Sequence, residues 1–226
     1  MKYKKLSLIL ILGLLLISCS NEIEDSTVAA PEHYKVEFEN EYVRVVRVAY
    51  NPGEESEMHS HSPLVAVSLT GGQGIFTDQD GNEETRPEAF AGDVLTDPGS
   101  SHSVLSISKG YEELVFIEPK KSFPFSINDV PNAIELDDID SNIELEEFGI
   151  RAIRMKGKPG SESPFHSHRA GVIVALTDVH VEHTTLDGET SIVKNKAGTA
   201  SWAEPRVHKG RVLSQEGYEA IFFELM

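Results

Sequence analysis

NPGEESEMHSHS, from Asn51 to Ser62, returns 107 positions later as KPGSESPFHSHR, from Lys158 to Arg169. Each copy writes Pro-Gly, five residues and then His-Ser-His. The correspondence extends outward in both directions. Residues 41–47 match residues 147–154 with one insertion, and Asp80-Gly81 matches Asp187-Gly188. Ala91-Gly92 matches Ala197-Gly198, His102 matches His208, and Gly110-Tyr111-Glu112 matches Gly217-Tyr218-Glu219. The spacing stays at 106 or 107, so the chain carries one structural unit twice.

Within each copy, short apolar runs alternate with turn residues, which is a strand pattern. Tyr42 to Val48, Leu64 to Leu69, Gly74 to Thr77 and Leu114 to Glu118 read as strands in the first copy. Ile150 to Met155, Val172 to Leu176, Val179 to Thr184 and Ala220 to Leu225 read as strands in the second. Asn51-Pro52-Gly53, Gln79-Asp80-Gly81 and Asp97-Pro98-Gly99 read as turns. Beyond the N-terminal segment no long amphipathic helix is written. The fold class is all-β, with units of a size that suits jelly rolls or small barrels, which limit exposed strand edges.

In His59-Ser60-His61 and His166-Ser167-His168 the imidazoles are two residues apart, so on a strand they share one face and can grip one ion. His102 and His208, each shortly after a proline, supply a third imidazole at matching positions. Two in-register triads make His59, His61, His102, His166, His168 and His208 the candidate metal ligands. Asp97 and Glu204 directly precede the prolines and are candidate acid–base groups or orienting partners of an imidazole, with a solvated turn as the plain alternative. Arg206 and Trp202 offer an anion contact and a stacking surface near the second triad. His180 and His183 follow the second triad, where Gln73 and Phe76 stand in the first copy.

These residues resemble the cupin superfamily, and the resemblance runs over nearly the whole chain as a bicupin. Gly53-x5-His59-x-His61 and Gly160-x5-His166-x-His168 are similar to the start of the first cupin motif. Gly92 through Pro98 to His102, and Gly198 through Pro205 to His208, are similar to the second. The resemblance implies two tandem cupin-type jelly-roll β-barrels, each with a divalent metal on three His at its mouth. The first motif normally adds a Glu four or five residues after its second His. Here those positions are Val65 or Ala66 and Val172 or Ile173, and no acid occurs between Ser62 and Thr77 or between Arg169 and Thr177. The expected site is therefore a neutral three-imidazole set that leaves the ion its full charge. Fe, Mn, Ni, Cu and Zn are all admissible, because ligand type alone does not choose among them.

At the N-terminus, Lys2, Lys4 and Lys5 precede an apolar run from Leu6 to Ile17, shorter than the ~20 residues that span a bilayer. Leu16-Ile17-Ser18-Cys19 resembles the lipobox of bacterial lipoproteins, which implies cleavage before Cys19 and its lipidation. Cys19 is the only cysteine, so no intrachain disulfide forms and no thiolate is left for a metal. The resulting domain expectation is a signal peptide over residues 1–18 and a tether over 19–31. A first cupin domain then covers 32–121, a linker 122–142 and a second cupin domain 143–226. Ser20, following the Cys, points to the outer membrane, so the expected location is the bacterial cell envelope with the membrane contacted through the lipid alone.

Beyond residue 18, 17 basic residues face 37 acids, a formal charge of −20. That balance repels nucleic acid and anionic lipid surfaces. The expected partner is a small-molecule ligand or substrate, and the sequence is compatible with a homodimer. Two function classes follow: a metalloenzyme acting on a small oxygenated organic molecule as a dioxygenase, isomerase or lyase, with dioxygenase-like chemistry favoured, or a non-catalytic bicupin that binds a ligand or metal.

Overall fold

The computed structural model describes residues 22–124 and 129–226. The signal segment, Cys19 and the first residues of the tether lie outside the described residues. So do residues 125–128 of the linker.

Each copy folds into a jelly roll of two antiparallel sheets with the same strand order. In the first unit a five-stranded sheet runs Tyr34–Glu39, Val43–Tyr50, Glu112–Pro119, Leu64–Ser68, Val94–Asp97. Facing it is a four-stranded sheet, His59–Ser60, Ser101–Ser106, Gly74–Asp78, Glu83–Thr85. The second unit repeats this as Ser141–Glu147, Ile150–Gly157, Tyr218–Leu225, Gly171–Ala175, Ala200–Ala203. Its facing sheet is His166–His168, Arg206–Val212, Val179–Thr184, Thr190–Asn195.

The two five-stranded sheets pack against each other. Val45, Val65 and Ile117 of the first share one core with Ile150, Val172 and Phe223 of the second. Alternate residues of the same strands, Val46 and Val48, face the interior of the first barrel with Tyr34, Tyr50 and Val104. Covered on both faces, Leu64–Ser68 is buried at every position, which explains its uninterrupted apolar run. Each fully buried Val, Ile or Phe contributes roughly 1.5–3 kcal/mol of transfer free energy.

The Pro-Gly pairs make the turns that launch the motif. Gly53 and Gly160 have φ of +79° and +71° with no atom near a would-be Cβ, so the requirement is conformational and not spatial. Their N–H groups donate to Ser106 O and Val212 O, closing matching turns onto the smaller sheets.

The tether and linker are more structured than their composition predicts. Ser60 N–H donates to Glu24 O at 2.8 Å and its hydroxyl to Ile23 O at 3.0 Å. In the second unit, Ser167 N–H donates to Pro131 O at 2.8 Å and its hydroxyl to Val130 O at 3.1 Å. A short helix, Ser26–Ala29, follows with Asp25 as its cap, and Asn132 caps the matching 3-10 turn Ala133–Glu135. The described part of the tether and the later part of the linker are thus equivalent arms. The serine between each pair of histidines pins them. Small polar residues read as flexible here because the bonds that hold them come from a strand more than thirty residues away.

Candidate metal centres

Antiparallel register assembles both triads. His59 lies opposite His102, and His166 opposite His208, so the third imidazole is the cross-strand neighbour of the first. Alternation puts His61 and His168 on the same face as their partners while the intervening serine turns away to the arm.

The imidazoles are oriented from behind. His59 Nδ1 contacts Glu57 O and His166 Nδ1 contacts Pro164 O, both at 2.8 Å. An Nδ1–H donated to a carbonyl leaves the Nε2 lone pair free, the form a metal needs. His59 Nε2 is buried with no hydrogen-bond partner. His166 Nε2 and His168 Nε2 approach to 3.0 Å. With His166 Nδ1 committed to Pro164, its Nε2 lone pair faces His168 Nε2, and a shared proton or cation relieves the pair. His102 Nδ1 meets Ser100 Oγ at 2.9 Å and His61 Nδ1 meets Ser62 O at 3.1 Å.

Burial disfavours the charged form of five of the rings. It lowers His59 and His166. Burial, with His59 and His61 adding to it, pushes His102 down to about 3. It also holds His168 and His208 well below the usual range, assisted by neighbouring imidazoles and Arg206. The donor sets fit a divalent ion: buried imidazoles, free lone pairs and convergent geometry.

The two centres differ. Among the described residues, the donor atoms that come within 4.8 Å of one another are His166, His168 and His208 in the second unit. In the first they are His61, His102 and Asp97. His59 stands beside this group, its ring 4.9 Å from that of His102. The carboxylate missing from the first motif is thus supplied from another strand. Burial raises the Asp97 carboxyl, but His61 and Arg86 outweigh it and hold it below the usual value. Asp97 Oδ2 accepts from Arg86 Nη2 at 3.0 Å, and Oδ1 accepts from Gly99 N at 3.0 Å. In sheet register Asp97 pairs with Leu64, while in the second unit the matching Gly171 pairs with Ala203. Among the described residues the second centre therefore has no acid at the position of Asp97, although Glu224 Oε1 stands 4.0 Å from His168 Nδ1.

Glu204 lies elsewhere. It is exposed and accepts from Trp202 Nε1 at 2.6 Å, while the Trp202 ring stacks on Tyr42 across the seam between units. Arg206 and His183 do line the second cavity, with His183 stacked on His208 at 4.1 Å between centroids. His180 does not line it.

The cavities also differ in size. The first measures about 390 Å³ and the second about 130 Å³. Tyr218 enters the second barrel where Glu112 enters the first, and Gly157 accommodates its ring. Tyr34, Tyr50, Arg86 and Glu112 line the first cavity and escape a motif-based reading. Tyr50 donates to Tyr34 at 2.9 Å, and burial pushes Tyr50 up to about 12, so it remains a donor. Glu118 and Glu224, both buried beside Arg44 and Arg151, were legible only as acids at a 106-residue spacing within apolar strands.

No protein-family model matches the chain, and the search of curated proteins returns no match. Solved structures do match. Oxalate decarboxylase from Bacillus subtilis, a protein with Mn(II) centres, superposes with a TM-score of 0.57 at 14% identity, over 82% of this chain and 69% of that one. A cupin 2 conserved barrel protein from Leptotrichia buccalis gives 0.51 at 11%, over 85% and 88%. The fold is a bicupin fold. A single cupin domain from Bordetella pertussis is 31% identical over 39% of this chain and 92% of its own length, with a TM-score of 0.36. The bicupin architecture explains why each barrel mouth gathers its histidines, and His-based metal-site candidates stand in both mouths.

Proposed function

We propose that this bicupin is a metal-dependent enzyme whose reaction centre is the first cavity, with a small oxygenated organic molecule as substrate. The observation that carries this reading is the convergence of Asp97 with His61 and His102 in a 390 Å³ cavity. Two imidazoles and one carboxylate are the donor set of non-haem Fe(II) oxygenases, which favours dioxygenase chemistry over isomerase or lyase chemistry. Fe(II) is the first candidate and Mn(II), present in the oxalate decarboxylase neighbour, the second. His61, His102 and Asp97 would hold the ion, with His59 beside them, and the ion when bound would supply Lewis-acid polarisation of a substrate oxygen.

The chain's own groups do the rest. Arg86 lies 3.8 Å over the Phe76 ring and fixes the Asp97 carboxylate from one side. Tyr34 and Tyr50 present hydroxyls to the cavity, and Phe76, Leu95 and Phe116 exclude water from it. Location is part of the proposal: a lipid on Cys19 would keep the enzyme on the outer membrane of a bacterial envelope. None of the helices among the described residues is long and apolar enough to cross a membrane.

The test is elemental analysis of purified protein, followed by an oxygen-consumption screen with small oxygenated organics under Fe(II) or Mn(II) loading, for wild type, His59→Ala, Asp97→Asn and His166→Ala. Metal-dependent turnover lost in Asp97→Asn supports the reading. Protein that takes up metal but turns nothing over favours a non-catalytic binding bicupin, and protein that takes up no metal overturns both.

A further inference from the structure

We propose that the second cavity is an anion site, in which Arg206 holds a small planar oxyanion, a monocarboxylate or bicarbonate, against the His166, His168 and His208 cluster. This rests on the reading of that cluster as a binding site and assigns it a ligand class.

Arg206 is an exception among the arginines. Arg44, Arg47, Arg86, Arg151, Arg154 and Arg211 each meet a carboxylate. Arg206 meets none among the described residues, and its Nε is buried with no hydrogen-bond partner. It stands directly opposite His168 and lines the same cavity. Arg206 as a whole is half-buried, so its inner nitrogen is shielded from water with no acid beside it, an arrangement that a ligand carboxylate would complete.

Comparison of the two units indicates where the anion sits. The first unit has Asp97 and Ser100; the positions in register in the second are Ala203 and Arg206. One barrel carries its carboxylate in the chain. The other has replaced it with a methyl group and placed a guanidinium beside it. The remaining walls are imidazoles, apolar side chains such as Ile173, Val181 and Phe222, and the polar Ser163, Asn195 and Lys156. The acids near the mouth do not compete: Asp138 and Asp140 are exposed, and Glu162 pairs with Arg211. A planar oxyanion matches the guanidinium fork, and a 130 Å³ cavity limits it to a few heavy atoms.

The experiment uses metal-free protein, so it stands apart from any enzymatic activity. Thermal unfolding and calorimetric titration are followed with sodium acetate, bicarbonate and chloride at constant ionic strength, for wild type, Arg206→Met and Ala203→Asp. Acetate or bicarbonate is expected to raise the wild-type Tm saturably while chloride does not, and a response to only one of the two identifies the source of the oxyanion. Arg206→Met should weaken this binding roughly ten- to a hundredfold. In chloride alone it should melt no lower than wild type, since it removes a half-buried cation that no carboxylate compensates, and this doubles as the folding control. Ala203→Asp should melt higher and lose the anion response, because its own carboxylate takes the place. An oxyanion response no larger than that of chloride, or one that survives in Arg206→Met, overturns the proposal. A protein that binds acetate but no metal overturns the enzyme reading and leaves this one standing.

Discussion

Arg47 donates from Nη2 to the carbonyl of Gly198 at 2.8 Å, although 151 residues separate them. Arg154, its equivalent, returns the contact to Gly92 O at 2.6 Å. The duplicated units therefore clasp each other about an approximate two-fold, with each arginine also paired to acids of its own unit. Both carbonyls belong to Ala-Gly turns, and the glycine φ values of +91° and +82° aim them outward at the partner unit.

This clasp, together with the shared core, makes the two units one cooperative structure. Arg154→Ala is expected to destabilise the protein by about 1.5–3 kcal/mol, the scale of a hydrogen bond from a charged donor. Urea unfolding followed in parallel by circular dichroism and by the emission of Trp202, which packs at the seam, should give coincident single transitions. Two separated transitions in wild type would show independent units instead.

Gly157 is required by Tyr218. A Cβ at residue 157 would lie 2.1 Å from Tyr218 Cε1 and 2.8 Å from Val212 Cγ2. Gly157→Ala is expected to lower stability by roughly 1–3 kcal/mol through overpacking. Adding Tyr218→Leu should recover much of that loss, a non-additivity that a double-mutant thermal unfolding cycle measures directly.

Asp97 and Glu204 occupy matching places in sequence but different environments. Asp97→Asn is expected to weaken metal binding in the first unit about 10- to 100-fold, the usual scale for a ligand or its orienting partner. Glu204→Gln should leave both sites unchanged. Competitive titration against a fluorescent chelator, with His166→Ala in the background to silence the second site, separates the two cases.

Acid should destabilise the metal-free protein. Burial holds His102 at about 3 and His183 at about 4, against 6.5 in an unfolded chain. Below 6.5 the unfolded chain takes up protons that the folded chain refuses, so stability is complete above that pH and falls as pH drops toward 4. Each ring adds at most about 1.4 kcal/mol per pH unit. Urea midpoints of chelator-treated protein should therefore decline from pH 7 to pH 5. His183→Phe, which copies Phe76 of the first unit, should make the decline shallower, and an unchanged slope would contradict the assignment.

The sequence by itself determined the duplication, the all-β class and the two His-x-His strands. Period-two alternation and a fixed 106- or 107-residue offset are local properties, written in one dimension. It also located His102 and His208, because a matched third histidine survives as an offset even when its distance in space is unknown. The environment of each centre was decided by the tertiary structure alone. Strand register put Asp97 beside His61 and His102, put Ala203 where the second unit would need the same acid, and turned Glu204 out to Trp202. Arg206 has its Nε buried without a partner for the same reason. Spacing along the chain specifies which side chains recur. Charge compensation and cavity volume depend on which strands become neighbours, and that is settled only when both sheets of a barrel close.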